Sequence, residues 1–154
     1  MSARVEGHPQ YQNLKTLLIT IEVEDVLKGG IDKNVTFRQF IWDIRDISDA
    51  AGYRKGDEVL LFLNRPTSLG LTSPVGLEQG RFRLTRSRSG EFLAINGSDN
   101  SGLFSGLIDS GTLKAARLSP RSRYAVQIFK HGAISLTTLK ESVRVLLQDQ
   151  ARSR

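Results

Sequence analysis

Val59 to Leu63 is the one run in the chain that is apolar at every position, and it constrains the fold more than any other feature. Such a run suits a strand covered on both faces. Turn chemistry brackets it, with Lys55-Gly56-Asp57 before and Arg65-Pro66 after, and two more strand candidates lie between Gly70, Gly76 and Gly80. The stretch from Gly56 to Leu84 therefore reads as a short meander at the centre of a β-barrel or sandwich.

The flanking segments extend that reading. Residues 1–13 are polar, although Ala3 to Gly7 has the makings of an edge strand. From Leu17 the alternation is regular: Leu17, Ile19, Ile21 and Val23 point one way and Thr20, Glu22 and Glu24 the other, which predicts a half-buried strand. Asp25 then falls where an apolar residue is due and Val26-Leu27 resume one position late, the pattern of a β-bulge. A second strand spans Asn34 to Trp42, and Arg81 to Arg86 with Glu91 to Ile95 predicts a hairpin around Ser87-Arg88-Ser89-Gly90. Residues 96–122 lack periodicity and read as a surface excursion. Tyr124 to Phe129 reads as a strand. Ser135 is placed to N-cap a helix over 136–148 with Leu136, Leu139, Val143, Leu146 and Leu147 in one stripe, ahead of a basic tail at 150–154. The expectation is a single domain over 14–149.

With 154 residues, a chain can bury a substantial core unaided. Cysteine is absent, which removes thiol catalysis, thiolate metal sites and disulfides, and His8 and His131 are the two imidazoles. No apolar run approaches the roughly 20 residues of a membrane span, and Met1 to Gln10 has no signal-peptide core. The net charge of +6 is uneven: residues 1–80 carry nine Lys/Arg and eleven Asp/Glu, whereas residues 81–154 carry thirteen and five.

Catalytic patterns are sparse. Asp109 in Leu107-Ile108-Asp109-Ser110-Gly111-Thr112 matches the loop of an aspartic protease, but that chemistry needs two aspartates sharing a proton and the chain has one such loop. Gly102-Leu103-Phe104-Ser105-Gly106 sets serine one place too late for a hydrolase elbow. Asp43, Asp46 and Asp49 lack the alternating ligands and glycine of a calcium loop, and a solvated acidic face accounts for them. No cofactor or metal is expected.

The basic half is the remaining candidate. Arg81, Arg83, Arg86 and Arg88 lie on or beside the predicted hairpin, and Lys114, Arg117, Arg121 and Arg123 follow; together they would suit a phosphate backbone. Binding single strands also needs exposed aromatic platforms, for which Tyr124, Phe104 and Trp42 are the candidates. A solvated face without a ligand explains the same arginines.

Together, the bulged strand ending Val26-Leu27-Lys28-Gly29, the strand Asn34 to Trp42, Gly56-Asp57-Glu58-Val59-Leu60-Leu61-Phe62-Leu63 and the terminal amphipathic helix resemble netrin-like modules, the OB-fold barrels also found in tissue inhibitors of metalloproteinases, in a cysteine-free bacterial form. The resemblance covers about residues 14–95. It implies a mainly β, five-stranded OB-like barrel with a C-terminal helix, an exported or cell-surface setting, and binding rather than catalysis. Metalloproteinase inhibition by an N-terminal cysteine does not carry over. The expected function is a non-enzymatic module engaging a protein partner through its loops, with single-stranded nucleic acid as the alternative ligand and an Asp109 hydrolase third.

Overall fold

The computed structural model describes residues 1–30, 32–41, 52–109 and 118–152, which form two compact units, Met1–Arg81 and Phe82–Arg154. The expected Asp43, Asp46 and Asp49 face and Trp42 lie outside the described residues, as do Lys114 and Arg117.

In the first unit, β1 (Ser2–Gly7), β2 (Lys15–Glu22) and β3 (Asn34–Phe40) form an antiparallel sheet in the order β1-β2-β3. The register pairs Val5 with Leu17, Leu17 with Gln39 and Ile19 with Phe37. Leu17, Ile19, Phe37 and Tyr53 are buried together, and Met1, Ala3, Ile21, Val35, Ile41, Leu61 and Leu63 pack against them. Each fully buried aliphatic or aromatic side chain of this kind contributes about 1.5–3 kcal/mol relative to exposure. The Phe37 and Tyr53 rings meet edge-on at 6.3 Å, and the Tyr53 hydroxyl donates to Gln39 Oε1 at 3.4 Å.

β2 ends at Glu22. The break in alternation at Asp25 marks the end of the strand and not a bulge within it, because Val26 resumes on the exposed side and gains no burial. The apolar run itself supplies a strand of three residues, β4 (Val59–Leu61), each half-buried, so it is not covered on both faces. Beyond Leu61 the backbone is held singly: Val75 N donates to Phe62 O, Phe62 N to Gly80 O, and Asn64 N to Ser73 O, at 2.8, 2.8 and 3.0 Å.

The second unit takes β5 (Arg81–Arg86) from Phe82 onward, then β6 (Phe92–Asn96), α1 (Ser105–Asp109), α2 (Pro120–Ile128), β7 (Ile134–Ser135) and α3 (Leu136–Arg152). The second sheet runs β4-β5-β6-β7. β5 and β6 pair with Arg86 opposite Phe92 and Phe82 opposite Asn96 around a turn closed by Ser87 N to Glu91 O at 2.8 Å.

These findings overturn the barrel. A closed OB-like, netrin-like barrel needs its strands in one continuous ladder. The described residues instead make one three-stranded and one four-stranded sheet, neither closed, with three helices. Strands of three and two residues at the edges of the second sheet are too short to carry a ladder around a barrel.

The segment expected as a strand at 124–129 is also corrected. In a strand Tyr124, Val126 and Ile128 would share one face, yet they are 64%, 0% and 58% exposed. Buried Ser122 and Val126 are four apart, the spacing of a helix, and Ser119-Pro120 starts that helix: Ser119 Oγ accepts from Ser122 N at 3.3 Å and Pro120 takes the first turn. α3 buries Thr138, Leu139, Ser142 and Val145, a stripe centred off the leucines. The polar members are satisfied, with Ser122 Oγ 3.4 Å from Thr138 Oγ1 and Ser142 Oγ donating to Thr138 O at 2.8 Å. Glu141 of α3 accepts from Ser119 N, Ser119 Oγ and Ser122 Oγ, so one carboxylate caps α2. Burial pushes its pKa up, but the three hydrogen bonds together outweigh that and hold it below the usual carboxylate value.

The described part of the expected surface excursion is anchored. Asn100 is fully buried, donating to Ala94 O at 2.9 Å and Gly132 O at 2.7 Å while accepting from Asn96 N at 2.9 Å. Phe104 is buried edge-on against Phe129 at 5.6 Å.

Candidate binding surfaces

Two successive turns connect Pro74 to Gly80 in the first unit: Leu77 N donates to Pro74 O at 3.0 Å and Gln79 N to Gly76 O at 3.2 Å. Their base is fixed. Val75 N and Gly80 O both engage the Phe62 backbone, and a Cβ on Gly80 would lie 2.6 Å from Val75 O, 2.7 Å from Val75 N and 2.9 Å from Phe62 O, so only glycine fits. On this base Leu77 has φ +59°, a left-handed conformation that costs a branched side chain about 1–2 kcal/mol. Leu77 is nevertheless 50% exposed and Val75 47%. The turn thus holds two aliphatic side chains partly in water on a constrained backbone, with Glu78, its side chain 65% exposed, between Leu77 and Arg81.

A cleft of about 520 Å³ lies elsewhere in this unit, lined by His8, Leu18, Thr36, Arg38 and Leu69 among others. His8 is buried and occupied at both nitrogens: Gln10 N donates to Nδ1 at 3.2 Å, so the proton is on Nε2, which donates to Leu69 O at 2.8 Å. Arg38 is drawn inward, donating to Glu6 Oε2 at 2.8 Å and Thr16 Oγ1 at 3.1 Å. Hydrogen bonds from Arg4 and then Arg38 hold the Glu6 carboxyl below its usual value. His8 and Arg38 of the cleft wall are therefore committed to the fold.

The arginines singled out from sequence divide between the units. Arg81 belongs to the first, where its guanidinium covers the Tyr53 ring at 5.1 Å and lies 3.8 Å from Glu78. Burial pushes the Tyr53 pKa up, with Arg81 opposing. In the second unit Arg83, Arg86, Arg88, Arg121 and Arg123 are all exposed. Arg86 stacks on the Phe92 ring at 4.0 Å. Glu91, one residue earlier, reaches α2 through Arg121 at 3.7 Å and accepts from Ser135 Oγ at 2.6 Å. Glu91 thus ties the end of the hairpin to the first turn of α2 and to β7, whereas Arg86 and Phe92 pair on the other strand face. Ser135 is accordingly engaged with Glu91 and belongs to β7.

Among the described residues no group of three or more His, Asp or Glu could hold a metal ion. Asp109 closes α1, and residues 110–112 of the protease-like loop lie outside the described residues. His131 Nδ1 meets Asp99 Oδ2 at 3.0 Å on the surface. Sequence spacing missed the Leu77 turn because positive φ at leucine has no sequence signature, and it missed the side-by-side placement of Arg121 and Tyr124 because 124–129 reads as a strand. No protein-family model, curated protein or solved structure matches the chain. No helix of the described residues is long and apolar enough to cross a membrane.

Proposed function

We propose that this chain is a binding protein that engages another protein through the Pro74–Gly80 turn. The observation carrying this reading is Leu77, at φ +59° and half exposed. Left-handed backbone and unburied aliphatic surface both oppose folding, and strain of this kind recurs where a partner uses it. Support comes also from the anchored base, since a turn ordered before binding loses little entropy on association. The partner chemistry this favours is an apolar pocket with a cationic rim facing Glu78.

Photo-crosslinking from a benzoylphenylalanine at position 78 of the full chain, in lysate of the source cells, tests the proposal. The expected result is one protein that, once identified and purified, binds the wild-type chain and loses binding to Leu77→Asn at unchanged thermal stability. Cross-linking insensitive to Leu77→Asn, or none at all, rejects it.

A further inference from the structure

We propose that the outer edge of β1 pairs antiparallel with the same edge of a second copy of this chain, joining two three-stranded sheets across a twofold axis. Among the described residues β1 is bonded to β2 alone, so its other side carries no strand. Which backbone groups face that side follows from the register. Thr16 Oγ1 donates to Glu6 O at 3.1 Å, and in the pair just beyond the strand His8 N donates to Leu14 O at 2.8 Å, so the even positions turn toward β2. Groups alternate along an antiparallel strand, and the N–H and C=O of Ala3, Val5 and Gly7 therefore point outward. Gly7 O also accepts from Arg38 Nη1 at 3.3 Å and has a second lone pair. Such an edge is a template for another strand.

The side chains select the occupant. Matching outward groups to outward groups puts the twofold axis at a residue and not between two. Centred on Val5, Arg4 of each copy lies directly opposite Glu6 of the other, Ala3 lies opposite Gly7, and the two Val5 side chains meet. Centred on Arg4 or on Glu6, the same charge stands opposite itself, and a centre on Ala3 or Gly7 leaves much of the strand unpaired. One register is thus favoured, and the strand is its own complement in it. The exposed groups fit that register. The Arg4 side chain is 70% exposed and engages its own Glu6 through Nε, at 2.6 Å, so its terminal nitrogens remain for the carboxylate opposite. Val5, 38% exposed, pairs with Leu17 and so lies on the face that buries the core, where its counterpart extends the apolar surface. A foreign strand fits equally well only if it carries the same charges in the same order.

Sedimentation equilibrium of the full chain tests the pairing. At about 100 μM the expected mass is twice that of the chain, as suits a small and therefore weak interface. Val5→Pro removes an outward N–H without touching the β2 ladder, and Arg4→Glu sets like charges opposite each other; each should weaken the dimer about tenfold or more. Arg4 is a surface side chain, and unchanged near-ultraviolet circular dichroism of both variants confirms that the fold is intact. Because the chain has no cysteine, Val5→Cys reads the register directly. Hydrogen-bonded partners stand about 5.5 Å apart at Cα, within disulfide reach, so mild oxidation yields a covalent dimer, whereas Ser2→Cys, about 20 Å from its counterpart, yields none. A wild-type monomer at that concentration, which would leave the edge to a strand of another protein, overturns the proposal. So does a dimer that survives either substitution, or equal cross-linking from Ser2→Cys. None of these outcomes bears on the Pro74–Gly80 turn.

Discussion

At Leu77 two local energies nearly cancel. The left-handed backbone costs about 1–2 kcal/mol, while burying half of a leucine returns roughly 1 kcal/mol. Leu77→Asn relieves the first and forfeits the second, since asparagine tolerates left-handed backbone. Its unfolding free energy should therefore stay within about 0.5 kcal/mol of wild type in denaturant titration, whereas a leucine serving the core would cost 2–5 kcal/mol on truncation. Gly80 behaves oppositely. Its missing side chain faces backbone at under 3 Å on three sides, and backbone cannot step aside as a rotamer can. Gly80→Ala should cost about 2 kcal/mol or more, seen in the same titration.

At the scale of elements, Glu141 ties α2 to α3. Its carboxylate is stabilised in the fold, so its folded pKa lies below the ordinary 4.5. The unfolded chain then binds the proton more readily. The contribution is full above the unfolded value and is lost as pH falls through the folded value. Thermal melts of wild type should fall more steeply than those of Glu141→Gln between about pH 5 and pH 3, while near neutral pH the variant should be less stable by about 1 kcal/mol, the worth of a cap. Element type was legible in sequence where one period dominated. β2 and the hairpin at Ser87–Gly90 follow their alternation, and α3 its helical spacing. α2 was misread because Tyr-Ala-Val-Gln-Ile alternates by residue type, whereas burial follows Ser122 and Val126. The start signal, Ser119-Pro120, was present, and the periodicity outweighed it. The α3 stripe was misplaced for a related reason: Thr138 and Ser142 are polar by type but buried in a satisfied network, which no hydrophobic pattern marks.

Across the whole molecule, the sequence located the charge asymmetry close to where the structure divides, between Arg81 and Phe82. It could not reveal sheet closure, which depends on strand length and ladder continuity, and Val59 to Leu63 contributes a shorter strand than five apolar residues promise. The candidate arginines were legible as residues but not in their engagements: Arg81 falls in the first unit over Tyr53, Arg86 lies on Phe92 and Arg121 meets Glu91, none of which spacing marks. Charge partition has its own test on a heparin column. Arg83→Gln with Arg88→Gln should lower the eluting salt, and Lys28→Gln with Lys55→Gln, an equal loss of charge in the first unit, should leave it nearly unchanged.

As the proposed interface, the Pro74–Gly80 turn would also set a timescale. Two aliphatic side chains cover far less than the roughly 800 Å² per partner of a durable complex, so an association resting on them turns over quickly. On the proposed interface, a preformed turn would meet its pocket without rearranging, which would keep capture fast, and the small contact would make release faster still, with residence nearer milliseconds than minutes. Such a complex disappears in the washes of an affinity purification and persists under covalent trapping or in exchange-broadened spectra.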